Sequence, residues 1–367
     1  MADPFEIFLA VPPGLEDSLL AEVKEGNFPP AQTTAGGVTF QGDWADVWRA
    51  NLQLRGATRV VARIGSFRAL HLAQLDKRAT KFDWSVFRKD VPLKVDVTCK
   101  RSRIYHAGAA KQRIEGALTT AGYTLSPEAN MSLRARIEDD LCTFSIDTSG
   151  DALHIRGHKA AVGKAPMRET LAAHFLRLCA YDPRAPLVDP MCGSGTFPIE
   201  AAEIAAGIAP GRSRHFAFEQ LNSFDENAWL ALPRNAASGP GAPVFGYDRD
   251  QGAIQNAQNN AERAGITGQF ACQPISALAP PEKSGASLGP GLVIVNPPYG
   301  ARIGNKKLLF GLYGTFGQRL RDAFPGWRVG IITSDHGLAK ATGLNFFDVS
   351  PPIPHGGLRV HLFQAQL

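Results

Sequence analysis

Three short stretches of this chain carry residues whose types and spacing could do chemistry. The first is Asp189-Pro190-Met191-Cys192-Gly193-Ser194-Gly195-Thr196, set between a short apolar run, Pro186 to Asp189, and an Ala-rich helical pattern, Phe197 to Ile208. A loop that leaves a strand and opens a helix is where doubly wound sheets bind nucleotide-like ligands. Gly193 and Gly195 would let backbone approach such a ligand with no Cβ in the way. A dinucleotide site would want a third glycine where this chain has Pro198, and a phosphate loop would want a Lys-Ser/Thr pair that is absent. A nucleoside without phosphates is the ligand that remains.

The second stretch is Gly246-Tyr247-Asp248-Arg249-Asp250. Asp248 ends an apolar run and could accept hydrogen bonds from both hydroxyls of a ribose, whereas Asp250 reads as the N-cap of the next helix. The third is Asn296-Pro297-Pro298-Tyr299-Gly300, directly after the apolar Leu292 to Val295. Two prolines stiffen this loop. Asn296 Oδ1 and the Pro297 carbonyl could accept from a planar amino group while Tyr299 stacks its ring. An exocyclic base amine is a poor nucleophile because its lone pair is delocalised, and two fixed acceptors would align that pair on a sulfonium methyl. Positioning of this kind can supply much of a rate.

The elements that must hold these loops follow from periodicity. Strands are expected at Pro186–Asp189, Val244–Asp248, Gly291–Asn296 and Arg328–Thr333, with helices at Phe197–Ile208 and Ala253–Ala264, the latter closed by Gly265. Apolar strands alternating with helices from about residue 165 imply a parallel, doubly wound sheet. Residues 209–243, rich in Gly, Pro, Ser and Asn, read as an excursion between its first two strands. Upstream, Phe5–Val11 alternates as a strand, Leu15–Lys24 has helical spacing, and Val38–Phe40 follows Gly36-Gly37. Leu93–Cys99 and Leu141–Asp147 read as strands, Ala109–Ala121 as a helix, and Asp151–Gly157 as a hairpin partner of Leu141–Asp147. This part reads as a small α+β domain.

Composition narrows the partners. The chain has 367 residues and a formal net charge of +5, but Arg55 to Arg113 alone carries fifteen Lys/Arg against four Asp/Glu. Such a segment favours a polyanion, because phosphate contact is driven by counterion release. The five cysteines show no zinc spacing, so no metal is expected. No run approaches the roughly 20 apolar residues of a spanning helix, and acids stand where an export signal would carry positive charge, so the expectation is a cytoplasmic protein without a membrane partner.

The glycine loop, the acid and the Asn-Pro-Pro-Tyr-Gly loop together resemble the Rossmann-like, S-adenosylmethionine-dependent amino-methyltransferases. Within that class, DTSGDALHIRGH, APMRETLAA and LVDPMCGSGTFPIEAA are similar to bacterial large-subunit rRNA guanine-N2 methyltransferases carrying a THUMP domain. VPPGLEDSLLAEV, GGVTF and Lys100 to Ala109 also fit, so the resemblance spans nearly the whole chain. It implies an α/β protein: a ferredoxin-like part at 1–45, a THUMP RNA-binding domain at 46–160, and a Rossmann-like methyltransferase domain at 161–367. It implies S-adenosyl-L-methionine as cofactor, surrounded by Asp189, Pro190, Met191, Cys192, Gly193, Ser194, Gly195 and Thr196. Asp248 and Arg249 would stand at the ribose, and Arg168, Glu169 and Thr170 beside the methionine end. Where relatives meet the adenine with an acid, this chain has Cys272 to Ala277, which leaves Ser276 or backbone for that contact. Asn296, Pro297, Pro298 and Tyr299 would hold the base, and Lys100, Arg101, Arg103, Lys111 and Arg113 would meet RNA phosphates. The expected partner is RNA, rRNA first and tRNA as the alternative, bound by a monomer. DNA adenine methylation shares the Asn-Pro-Pro-Tyr motif, and an inactive RNA-binding protein is the reading from another class; the basic segment speaks against the former, intact Asn296 and Gly193 against the latter.

Overall fold

A computed structural model describes residues 4–159, 167–235, 243–283, 286–300 and 306–367. The chain divides into two compact units, one of residues 1–11, 19–153 and 214–233, the other of residues 12–18, 154–213 and 234–367.

In chain order the elements up to residue 153 are β1 (Phe5–Ala10), α1 (Glu16–Glu25), β2 (Ala31–Thr34), β3 (Gly37–Gly42), α2 (Trp44–Gln53), β4 (Arg59–Arg68), α3 (Leu72–Thr80), β5 (Leu93–Lys100), α4 (Ala107–Thr120), β6 (Met131–Glu138) and β7 (Leu141–Asp147). The strands form one sheet in the order β2-β3-β1-β4-β7-β6-β5, antiparallel except for the β5–β6 pair. β6 shows why it is a strand: Met131, Leu133, Ala135 and Ile137 are buried while the residues between them face outward. It joins β7 across Asp139 and Asp140, whose φ values of 50° and 64° suit a two-residue hairpin turn. The hairpin expected between Leu141–Asp147 and Asp151–Gly157 is therefore corrected. Both edges of β7 are taken, by β4 and β6, and residues 151–157 form turns with no strand.

The second unit begins with α5 (Glu169–Leu178), β8 (Leu187–Asp189) and α6 (Thr196–Ala205). After α6 part of the excursion, residues 214–233, joins the first unit, as a 3₁₀ turn at Ala217–Gln220 and α7 (Glu226–Leu230). There Phe218 packs on Trp48, Phe224 and Trp229. The second unit resumes with β9 (Val244–Asp248), α8 (Gln251–Ala264), β10 (Gln269–Cys272), the two-residue pair β11 (Glu282–Lys283) and β12 (Ala286–Ser287), β13 (Leu292–Val295), α9 (Lys306–Ala323), β14 (Arg328–Thr333), α10 (His336–Ala341), β15 (Phe346–Val349), β16 (Ile353–His355) and β17 (Leu358–Gln366).

Its sheet runs β10-β9-β8-β13-β14-β17-β15. The first five strands in that order are mutually parallel and β17 is antiparallel to β14. β8 and β13 are buried at every position, as strands covered on both faces must be. On one face Val293, Val295, Val329 and Ile331 meet Tyr313, Phe316, Leu320 and Phe324 of α9 and its end. Strand order reverses between β8 and β13, and the crevice at such a reversal is where open α/β sheets bind ligands. The loops after β8, β9 and β13 all leave carboxyl ends of parallel strands, so the three chemical stretches share one edge. Among the described residues no helix is long and apolar enough to cross a membrane.

Candidate active site

The loop after β8 turns on two left-handed glycines, Gly193 at φ 53° and Gly195 at φ 85°. A Cβ on Gly195 would lie 3.1 Å from the Ala257 Cβ of α8, so this glycine allows close helix packing. A Cβ on Gly193 would meet nothing within 4 Å among the described residues, which leaves the backbone of the loop open to a ligand. Gly195 caps α6 without a side-chain hydrogen bond, so no side chain of the cap covers the first amide groups of that helix. Asp189 lies beneath the loop, 2% exposed, with Oδ1 accepting from the Met191 amide at 3.1 Å. Burial holds its carboxyl well above the ordinary carboxylate range, with Asp248 adding to the rise. Burial also pushes the Cys192 thiol up, so this cysteine fills space as a neutral group.

Asp248 ends β9 half-buried. Its Oδ2 accepts from the Gly193 amide at 3.1 Å and its Oδ1 from the Asp250 amide at 3.0 Å. One carboxylate thus ties two loops of the crevice together and keeps further lone pairs for a diol. Asp250 caps α8, accepting from the amides of Gly252 and Ala253. Arg249 points into an exposed position, and its carbonyl accepts from the Cys272 thiol at 3.4 Å. Ser276 is exposed on the 3₁₀ turn Ile275–Ala277 that follows β10. That turn neighbours Asp248, whose carbonyl accepts from the Gln273 amide at 2.8 Å.

The loop after β13 holds Asn296 half-buried, Pro297 buried, and Pro298 and Tyr299 half-buried. Asn296 Oδ1 is itself buried and has no hydrogen-bond partner among the described residues. A buried acceptor left unpaired is rare in a folded protein and calls for an explanation. Tyr313 of α9, fully buried, donates its hydroxyl to the Pro298 carbonyl at 3.3 Å and so pins the loop from below. Burial raises the Tyr299 phenol to about 12, so its ring stays neutral across the working range of pH.

Several residues with no motif of their own hold the glycine loop. The Asn260 amide on α8, fully buried, donates to the Ser194 carbonyl at 3.0 Å, and Arg263 donates to Asn260 Oδ1 and to the His158 carbonyl at 2.8 Å. Lys159 donates to Thr196 Oγ1 at 2.8 Å and the Met167 carbonyl at 3.1 Å, and pairs with Glu169 at 3.0 Å. Glu169 is therefore held as a structural counter-ion at the start of α5. Thr170 is buried with its hydroxyl unpaired among the described residues, while Arg168 is exposed; burial depresses His355, and the charge of Arg168 adds to the fall. Lys159, Asn260 and Tyr313 carry no spacing that marks them in the sequence; only the fold brings them under the loops.

In the first unit the expected RNA-contacting cations meet acids. Arg101 pairs with Glu138 at 2.7 Å and Asp139 at 3.1 Å, Lys100 with Glu138 at 3.8 Å, Arg103 with Asp140 at 3.7 Å, and Lys111 with Glu115 at 3.6 Å. Arg113 is exposed on α4. The acids of the β6–β7 turn lie outside the basic stretch in sequence, yet they offset part of its charge in space.

A parallel sheet with an open glycine cradle at its first strand and an acid at its second defines a class I methyltransferase. The cradle fits S-adenosyl-L-methionine, because among the described residues backbone lies open where a nucleoside must approach and the cation beside it, Lys159, is engaged by Thr196, the Met167 carbonyl and Glu169. Comparison with known proteins gives the family. Residues 156–350 match the RMKL-like methyltransferase domain, and residues 6–61 match the RlmL ferredoxin-like domain. The chain belongs to the RMKL-like, S-adenosylmethionine-dependent methyltransferase family. It is 31% identical to slr0064 of Synechocystis sp., an RNA methyltransferase by inference in its name, over 98% of this chain and 96% of that protein. It is 35% identical over 94% of its length to the ribosomal RNA large subunit methyltransferase K/L of Chromohalobacter salexigens, of which it spans 50%. Among solved structures, a Listeria monocytogenes protein described as a predicted N6-adenine-specific DNA methylase superposes with a TM-score of 0.86 at 28% identity, covering 99% of this chain and 96% of that one. The SMU.472 protein, solved with SAH, gives 0.86 at 26% identity, covering 100% and 99%.

Proposed function

We propose that the chain transfers a methyl group from S-adenosyl-L-methionine to an exocyclic amine of an RNA base, guanine N2 of large-subunit rRNA. The observation that carries this reading is the Oδ1 of Asn296 at the carboxyl end of β13, buried and unpaired among the described residues. An apolar strand delivers an acceptor to the crevice with no donor for it among the described residues, and a base amine is a donor that fits. The bound cofactor supplies an electrophilic methyl. Asn296 and the Pro297 carbonyl hold the amine so that its lone pair faces that methyl, and Tyr299 stacks on a base taken out of its RNA helix. Asp248 holds the ribose hydroxyls, the loop from Asp189 to Thr196 surrounds the nucleoside, and Arg168 and Thr170 stand at the methionine end. Residues 46–160 act as the RNA-binding THUMP domain. There Lys100, Arg101, Arg103, Lys111 and Arg113 meet phosphates, since exposed ion pairs are worth little and exchange readily.

The relatives named for rRNA and RNA support RNA as the substrate class. The test is transfer of labelled methyl to unmodified rRNA, tRNA and duplex DNA, with nucleoside mass spectrometry of the product. N2-methylguanosine in rRNA is the expected result. Methylguanosine in tRNA alone would move the substrate to tRNA, and methyladenine in DNA would overturn the reading.

A further inference from the structure

We propose that the groove between α3 and the outer half of β4 binds an unpaired nucleotide of the RNA, apart from the catalytic crevice. This rests on RNA being the substrate. The groove is shallow and open to solvent, with a volume of about 450 Å³, and is lined by Phe67, Gln74, Lys77, Arg78, Lys81 and Phe82. Gln74, Lys77, Arg78 and Lys81 follow helical spacing of i, i+3, i+4 and i+7, so α3 and its end present them as one stripe. The opposite face of α3 is apolar, with Leu75 and Ala79 buried.

The aromatic floor has its own cause. Phe67 comes from β4, opposite Cys142 of β7, beyond the stretch in which β4 pairs with β1. Phe82 packs over Gly65, where a Cβ would come within 2.7 Å of its ring. Both rings brace edge-on against Phe144, at 5.4 Å and 4.9 Å, and both remain half-buried with a face toward the groove. Arg78 already stands over the Phe67 ring at 5.9 Å. Fixed aromatic rings beside cations are what single-stranded nucleic acid sites use: the rings take a base and the cations take its phosphates.

Charge complementarity distinguishes this groove from the other basic surface of the unit. No carboxylate lines it, and Lys77, Arg78 and Lys81 are exposed with no ion pair among the described residues. Asp76 lies about 100° round the helix from Lys77, and Asp83 is engaged by the Ser85 amide at 2.9 Å. By contrast Lys100, Arg101, Arg103 and Lys111 each face an acid. A phosphate entering the α3 groove displaces no counter-ion of the protein.

The probe is a labelled single-stranded oligouridylate of about twelve nucleotides, within the roughly 4–16 that such sites cover, compared with an RNA duplex of equal length. The triple variant Lys77→Ala, Arg78→Ala, Lys81→Ala should reduce the slope of log affinity against log salt by about two, since single strands lose about 0.7 per phosphate contact. Phe67→Leu keeps an apolar side chain under the groove but removes the stacking face. It should weaken single-strand binding about five- to a hundredfold and leave duplex binding unchanged, and Phe67→Tyr should restore the affinity. Cofactor affinity, read by calorimetry, should stay parental in every variant. Parental slope in the triple variant, or parental single-strand affinity in Phe67→Leu, overturns the groove while the RNA reading stands. Failure of the parent to bind either RNA overturns the RNA reading itself. Displacement of the oligonucleotide by polyglutamate of equal charge would make this an acidic-polypeptide site and overturn the assignment.

Discussion

Replacing Asn296 by alanine should slow methyl transfer while making the ligand-free protein more stable, an opposition that follows from one atom. Asn296 Oδ1 is buried without a partner among the described residues. An unpaired buried acceptor costs the folded state about 1–3 kcal/mol, since the unfolded chain gives that oxygen to water. Alanine removes the oxygen and with it the cost. The residue is only half-buried, so the packing lost is small and the net gain is on the order of 1 kcal/mol. For a unit of this size that corresponds to a rise in melting temperature of about 2–4 °C. In the proposed reaction the same oxygen aligns the amine, and loss of one preorganised polar contact lowers turnover by about 10²–10³. The assay pairs single-turnover transfer of labelled methyl to unmodified rRNA with calorimetric melting of the ligand-free protein. Transfer at the parental rate would show that the loop after β13 is not the clamp. A melting temperature lowered by several degrees would show that Oδ1 has a protein partner and is not held ready for a substrate.

The other site residues give separable readouts. Asp248→Ala should weaken cofactor binding tenfold or more, because a ribose diol loses about 1.5–3 kcal/mol of charge-assisted hydrogen bonding; unchanged affinity in calorimetry would remove Asp248 from the site. Tyr299→Phe should keep near-parental kinetics, because the phenol is raised to about 12 and acts only as a neutral ring, whereas Tyr299→Ala should raise KM for RNA with kcat less affected. A pH-rate profile that shifts in Tyr299→Phe would contradict this. His158 is buried and burial lowers it from 6.5 to about 4. Between about pH 6.5 and pH 4 the unfolded chain therefore binds a proton that the native one refuses. Stability should fall as pH is lowered through that window, by about 1.4 kcal/mol per unit, and level off below it. Urea midpoints measured across the window should flatten in His158→Gln, and parallel curves for the two proteins would refute the assignment.

What could be read from the sequence was whatever a local pattern enforces. Val244–Asp248, Leu141–Asp147 and Arg328–Thr333 form strands with the bounds their patterning indicates. The glycine loop was legible because two left-handed residues before a helix admit few side chains. β4 and β6 were not. β4 carries Gly65 and a register shift that break its alternation, and in β6 the small Ala135 stands among the inward residues while Arg134 and Arg136 face outward, which weakens the strand pattern. The hairpin placed at Asp151–Gly157 failed because pairing is a property of available edges, which a single strand's pattern does not contain. The charge count over residues 55–113 was correct as arithmetic. It was incomplete as electrostatics, because Glu138, Asp139 and Asp140 come to that surface from the far side of a hairpin.

Asn260, Tyr313 and Lys159, which escaped the sequence reading, have one thing in common: each fixes a backbone atom of a segment bordering the crevice. Asn260 holds the Ser194 carbonyl, Tyr313 the Pro298 carbonyl, and Lys159 both the Met167 carbonyl and the Thr196 hydroxyl. Asp189 and Asp248 divide the same labour. Asp189 is almost wholly buried and spends Oδ1 on the Met191 amide, so it shapes the turn from within. Asp248 is half-buried and ties the Gly193 and Asp250 amides while keeping a face toward the crevice. An amine with a delocalised lone pair gains little from a general base and much from being held in one orientation against the methyl. A site for such an amine therefore needs stiff loops more than it needs titratable groups. The buried polar contacts beneath these loops supply that stiffness, and their failure would loosen the geometry by the fraction of an ångström on which positioning depends.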